Sequence, residues 1–183
     1  MMRAWLLSCV LFLLGCVDPT TIDPSYTAPI TPTHPEIVYL GDSLCDKTYN
    51  FDYTAQERIG ITSICKSRRL LVQVTPAMLY AQDQYEVVLV ALGTNDGAKH
   101  VGIESYTARL QQFLDYDDAT YYCVLPYTTN NIDRTAYRNA MQETCTNTID
   151  PGELPVYLIN DGVHWSADDH IRFAPYLANE LGI

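Results

Sequence analysis

The sequence predicts an open α/β sandwich built around a mainly parallel β-sheet. Three observations predict it. Short apolar runs recur that are nearly continuous rather than alternating, as strands buried on both faces require. Segments of helical period lie between them, and most runs stop at a glycine or a polar cluster. The 183 residues are 48% hydrophobic, with no internal repeat, and the composition breaks only once, near the N-terminus. That is the arithmetic of one domain with a sizeable core.

Taken in order, the chain begins with Arg3 and an apolar run from Ala4 to Leu14. The run has the length of a signal-peptide core and is too short to span a bilayer. It ends in Leu13-Leu14-Gly15-Cys16. This resembles the lipobox of bacterial lipoproteins, which implies a signal peptide over 1–15 and lipidation of Cys16 as the mature N-terminus. Val17 rather than Asp follows the cysteine, which in such signals points to the outer membrane where a cell has one. Residues 16–35 are rich in Pro, Thr, Ser and Asp, with prolines at 19, 24, 29, 32 and 35. They read as an extended tether that includes His34. The folded domain is expected over 36–183.

Within it, Ile37 to Leu40 reads as the first strand, stopping at Gly41. Ile61 to Cys65, Val87 to Leu92, Tyr121 to Leu125 and Pro155 to Ile159 read as four more. Tyr106, Leu110, Phe113 and Leu114 fall at helical spacing, Ala136 to Cys145 is a polar-rich helical stretch, and Ile171, Phe173, Tyr176, Leu177 and Leu181 mark a C-terminal helix. Ser166 with Asp169 resembles a capping box at the start of that helix. Folds of this order bind ligands at the carboxyl ends of their strands.

Three polar clusters follow predicted strands: Gly41-Asp42-Ser43-Leu44, Gly93-Thr94-Asn95-Asp96 and Asp161-Gly162-Val163-His164. A serine is a weak nucleophile unless a neutral imidazole takes its proton during attack, and His164 can supply one to Ser43. Asp161, three residues earlier, can accept from the other ring nitrogen and fix the tautomer. Asn95 offers a side-chain N–H to the charge that develops on a carbonyl oxygen.

These segments, in this order and at these places, resemble the first, third and fifth conserved blocks of the SGNH hydrolases, also called GDSL esterases and lipases. The resemblance spans Val38 to the C-terminal helix. It implies a flavodoxin-like three-layer α/β/α fold, a catalytic triad of Ser43, His164 and Asp161, and an oxyanion hole that includes Ser43 and Asn95. The Gly-x-Ser-x-Gly elbow of the α/β-hydrolases is absent, because position 45 is Cys. The family's second block has a glycine whose N–H joins the oxyanion hole. Taking Ile61 to Cys65 as strand places Ser67 there, followed by Arg68 and Arg69. The other register makes Gly60 the block glycine and Ile61 to Cys65 a helix. Ile, Thr and Cys favour strand, so Ser67 is expected. Trp165 stands where many members have Pro and is expected to roof the site. Asp42 is expected to tie its loop by side-chain hydrogen bonds, and the two arginines to begin a solvated helix.

Of six cysteines, Cys9 lies in the signal and Cys16 is the lipid site. Cys45, Cys65, Cys123 and Cys145 remain, and three pairings are possible. In the implied fold Cys45 and Cys65 are neighbours, and Cys123 lies in a strand before the helix that ends at Cys145, so 45 with 65 and 123 with 145 are expected.

The chain carries 11 Lys+Arg against 22 Asp+Glu, a net charge of -11. Losing residues 1–15 removes Arg3 and no acid, which leaves 10 against 22, or -12. An acidic chain without a basic run makes a poor nucleic-acid binder, and any membrane contact is expected through the lipid anchor alone. His100 and His170 lack metal-ligand spacing with Cys or another His, so neither metal nor cofactor is expected. The expected function is a cell-envelope serine esterase acting on a small-molecule or glycan acyl ester. An envelope O-acyltransferase or O-acetyl esterase on peptidoglycan or another glycan, and a non-catalytic glycan-binding lipoprotein, are the alternatives.

Overall fold

The structure, a computed structural model, describes residues 32–45, 54–75, 85–128, 133–154 and 163–183. The signal, Cys16, Asp161 and the expected strand Pro155 to Ile159 lie outside the described residues, as does the tether up to residue 31.

The described strands are β1 (His34–Gly41), β2 (Ile61–Cys65), β3 (Val87–Ala91), β4 (Thr120–Val124) and β5 (Asn147–Ile149). They form one sheet in the order β2-β1-β3-β4-β5, and every pairing is parallel. The helices are α1 (Ala55–Arg58), α2 (Thr94–Ala98), α3 (Ile103–Leu114), α4 (Thr135–Thr144) and α5 (Ala167–Leu181). Strand β1 begins two residues before the expected boundary, so His34 belongs to the sheet and not to the tether. Its N–H donates to the Gly60 carbonyl at 2.9 Å. The β1–β2 register slips between His34 and Val38, where Pro35 has no N–H to give the ladder. The polar Asn147–Ile149 strand was not expected, since a three-residue strand carries too little periodicity to read.

The pleat sends alternate residues to opposite faces, and each face carries its own core. Val38, Leu40, Val88 and Val90 pack with Tyr106, Leu110 and Phe113 of α3 and with Tyr137 and Met141 of α4. Ile37, Tyr39, Leu89, Val124 and Ile149 pack with Ala55 of α1 and with Phe173, Ala174 and Leu177 of α5. This is the three-layer α/β/α arrangement. The N-terminus of α5 carries the expected capping box: Ser166 Oγ accepts from the Asp169 N–H at 3.3 Å and the Asp169 carboxylate accepts from the Ser166 N–H at 3.3 Å.

Both expected disulfides are present, Cys45–Cys65 and Cys123–Cys145. The first spans 20 residues and joins the turn after β1 to the end of β2. By loop-closure entropy a bridge of that span stabilises a fold by about 3 kcal/mol. It also explains Gly41, where an added Cβ would lie 2.3 Å from Cys45 Sγ.

Candidate active site

The chain runs from β1 outward to β2 on one side, then crosses to β3, β4 and β5 on the other. The crossing leaves a crevice beyond the carboxyl ends of β1 and β3, the place where sheets of this kind bind ligands. Ser43 follows β1 and Asn95 follows β3, so the sequence places its two polar clusters on either side of that crevice.

Past Gly41 the backbone turns at once. The Asp42 carbonyl accepts from the Cys45 N–H at 3.3 Å, and the Asp42 carboxylate accepts from the Leu44 N–H at 3.0 Å. Ser43 is held at the tip of this turn. Its Oγ lies 2.9 Å from His164 Nε2, although 121 residues separate the two in the chain. That is hydrogen-bond reach for proton transfer from an attacking hydroxyl to an imidazole. Asp161 lies outside the described residues, so the third member of the expected triad has no geometry to report.

Asn95 sits in the first turn of α2, after Gly93 at φ +126°. No L side chain adopts that φ readily, and a Cβ there would meet Tyr106 Oη at 2.9 Å. Asn95 Nδ2 donates to Asp42 Oδ2 at 3.1 Å and to the Arg69 carbonyl at 3.3 Å. The amide is thereby fixed between the loops that follow β1 and β2. Asp42 is fully buried, and burial pushes its carboxyl up to about 6. The Leu44 N–H opposes that rise, nearby Asp96 adds to it, and His164 and Arg134 oppose it.

Ser67 lies in the turn beyond the carboxyl end of β2, with the Lys66 N–H donating to the Gly41 carbonyl at 3.3 Å and the Arg69 N–H to the Lys66 carbonyl at 3.2 Å. Gly60 precedes β2 and pairs with the start of β1, at the other end of the sheet from Ser43. The expected helix start at Arg68 and Arg69 is replaced by this turn. Arg68 takes φ 62°, and the Arg69 guanidinium donates to the Ile64 carbonyl at 2.6 Å and the Gly41 carbonyl at 3.3 Å. Main-chain acceptors at the strand ends, not solvent, hold that side chain.

Trp165 does not roof the crevice. Its side chain turns inward, packing edge-on against Phe173 of α5 at 5.0 Å between ring centroids. A single residue after His164 can face either way, and the apolar face of α5 decides it here. Trp165 lines a small cavity together with Leu44, Thr94, Tyr127, His170 and Phe173. The space there open to the centre of a water-sized group is about 20 Å³.

No family model matches the chain, and no curated protein does. Solved structures do match. A lipolytic protein of the G-D-S-L family from Desulfitobacterium hafniense superposes with a TM-score of 0.65 at 12% identity, over 79% of this chain and 98% of that one. The psychrotrophic esterase EstA from Pseudoalteromonas gives 0.60 at 16%, over 80% and 96%. The C-terminal catalytic domain of the peptidoglycan O-acetyltransferase OatA from Streptococcus pneumoniae gives 0.59 at 15%, over 84% and 94%. The chain has the SGNH-hydrolase fold.

Within that SGNH fold, two residues beside the site escaped sequence reasoning. Arg134 is 1% exposed, and its Nε donates to the Thr94 carbonyl at 3.1 Å, bracing the turn that carries Asn95. The Asp96 carboxylate accepts from the Leu71 N–H at 3.2 Å from both oxygens, tying the segment after β2 to α2. A lone arginine ahead of a polar helix gives no sign of burial. Asp96 stood in a cluster already singled out, but nothing in the sequence named its partner.

Proposed function

We propose that this protein is a serine ester hydrolase of the SGNH type, acting on short acyl esters at the bacterial cell envelope. The observation that carries the reading is the 2.9 Å approach of Ser43 Oγ to His164 Nε2 at the carboxyl ends of the strands, with Asn95 fixed beside them. Ser43 Oγ attacks the ester carbonyl while its proton passes to His164 Nε2. Asp161 accepts from the other ring nitrogen and stabilises the imidazolium. The N–H groups of Ser43 and Ser67 receive the oxyanion, joined by Asn95 Nδ2 as it exchanges its hydrogen bond to the Arg69 carbonyl for one to the substrate oxygen. Collapse of the tetrahedral species expels the alcohol, which takes the proton back from His164. Water activated by the same imidazole then cleaves the acyl-enzyme.

A second reading rests on the likeness to the O-acetyltransferase domain: a sugar hydroxyl, in place of water, takes the acyl group. The discriminating experiment is a panel of acetyl to palmitoyl esters, with and without glycan acceptors, on the full chain and on a fragment from Pro32. The chain between Ser43 and β2 is short and holds no long apolar insertion, so kcat/KM is expected highest for acetyl to butyryl and lower by octanoyl, because extra methylenes gain about 0.8 kcal/mol each only where apolar surface receives them. A rate that climbs to palmitoyl would make the protein a lipase. Acceptor-dependent product would make it a transferase, and no Ser43-dependent product at all would leave a glycan-binding protein.

The envelope location rests on the Leu13-Leu14-Gly15-Cys16 motif and the proline-rich residues behind it. Cys16→Ser is expected to abolish acyl labelling and release the protein from membranes. Unchanged membrane partition in that variant would remove the anchor.

A further inference from the structure

Lys66, Arg68 and Arg69 follow β2 in a stretch from Ile59 to Thr75 that holds no acid. Lys66 and Arg68 are exposed, whereas Arg69 is half-buried. Its Nη1 donates to the Ile64 carbonyl at 2.6 Å and to the Gly41 carbonyl at 3.3 Å, so one nitrogen links the end of β2 to the end of β1. The Gly41 carbonyl also accepts from the Lys66 N–H at 3.3 Å. The main chain of Arg69 makes two further bonds. Its N–H donates to the Lys66 carbonyl at 3.2 Å, which closes the turn around Ser67, and its carbonyl accepts from Asn95 Nδ2 at 3.3 Å.

Each of the three oxyanion donors therefore connects to this one residue. Ser43 lies two positions past the carbonyl that the guanidinium holds, Ser67 lies in the turn that the N–H closes, and Asn95 donates to the carbonyl. The backbone beside it is strained. Arg68 takes φ 62° at a turn position that favours Gly or Asn. A side chain stays in the left-handed region only where its surroundings over-determine it, and such strain collects at functional sites. The Cys45–Cys65 bridge ties the same two turns covalently, with 5.7 Å between the Cα atoms, but it makes no link to Asn95. Arg69 reaches all three.

We propose that Arg69 is the positioning residue of the oxyanion hole, holding the turns after β1 and β2 and the Asn95 amide so that the Ser43 N–H, the Ser67 N–H and Asn95 Nδ2 converge on one substrate oxygen. The proposal rests on the esterase reading above. Oxyanion donors act on charge that develops in the transition state, and their effect depends on being in place beforehand. The Arg69 carbonyl keeps Asn95 Nδ2 engaged between the two turns until the substrate oxygen takes over that hydrogen bond. The guanidinium acts through these other groups and not on the substrate. Its loss therefore falls on kcat rather than on KM.

The test measures kcat and KM on acetyl and butyryl esters for the wild type, Arg69→Met, Arg69→Lys, Asn95→Ala and the double variant Arg69→Met with Asn95→Ala. Methionine keeps an apolar stem and gives up the donors, whereas lysine keeps donors on a flexible stem without the planar fork. Misplacing aligned groups by about 1 Å costs on the order of 10²-fold, so Arg69→Met is expected to lower kcat by about 10- to 100-fold with KM within about threefold of wild type. Arg69→Lys should recover part of that loss. Asn95→Ala removes one of the groups that Arg69 aligns, so the double variant should lose less than the product of the two single losses. A side chain that only stabilised the fold would leave kcat of the folded variant unchanged, or give losses that multiply, and either result overturns the proposal. Arg69→Gln, which can serve one of the two carbonyls, takes the place of Arg69→Met in the same cycle if circular dichroism shows that the methionine variant does not fold. A wild type that hydrolyses no ester of the panel removes the esterase reading and this role with it. An active wild type beside an equally active Arg69→Met variant removes the role alone.

Discussion

Ser43→Ala is expected to lower kcat by at least about 10⁴-fold on every ester the wild type hydrolyses. The hydroxyl is the atom that forms the acyl-enzyme, and without it only binding and oxyanion donors remain to assist attack by water. His164→Ala should cost a similar factor, because an unassisted serine hydroxyl holds its proton while it attacks. The double variant should lose no more than the worse single one, since residues that act as a unit do not add. Single-turnover mass spectrometry gives an independent check: a reactive ester should leave an acyl adduct on Ser43 in the wild type and none in Ser43→Ala. Retained hydrolysis in Ser43→Ala would remove the mechanism outright, because Ser43 Oγ is the hydroxyl that stands 2.9 Å from His164 Nε2.

The sheet was legible because its inner strands are buried on both faces and therefore read as unbroken apolar runs. Val87–Ala91 and Thr120–Val124 fall within a residue of where those runs place them. β5 was not legible, since Asn147–Ile149 is a three-residue, largely polar strand with one buried residue. The site was legible wherever chemistry demands a residue type at a strand end, as at Ser43, Asn95 and His164. What supports them was not, because it is made of main-chain acceptors and burial. The carbonyls of Gly41, Ile64, Arg69 and Thr94 carry no sequence signature, yet they fix Arg69, Asn95 and Arg134. Trp165 shows the same limit, since its direction follows from the apolar face of α5 and not from its place beside His164.

Asp42→Asn should remove a component of the stability that depends on pH, and the sign follows from the carboxyl's surroundings. In the unfolded chain Asp42 titrates at its ordinary 3.8, and in the folded protein burial raises it to about 6. Between these values the native state keeps a proton that the unfolded state has lost. The unfolding free energy from this group therefore falls as pH rises from about 4 to about 6 and is flat above. A shift of about two units corresponds to on the order of 3 kcal/mol. Other carboxylates titrate in the same range, so the quantity to measure is the difference between wild-type and variant denaturation curves at each pH. Asparagine keeps an acceptor for the Leu44 N–H but turns an amide towards Asn95 Nδ2, which then retains only the Arg69 carbonyl. The variant should accordingly gain stability relative to the wild type across that window while losing kcat, because Asn95 is less firmly held and the imidazolium at His164 loses a nearby negative charge. A difference curve that stays flat from pH 4 to pH 6.5 would mean that Asp42 is ionised throughout, with its charge offset by Arg134 and His164.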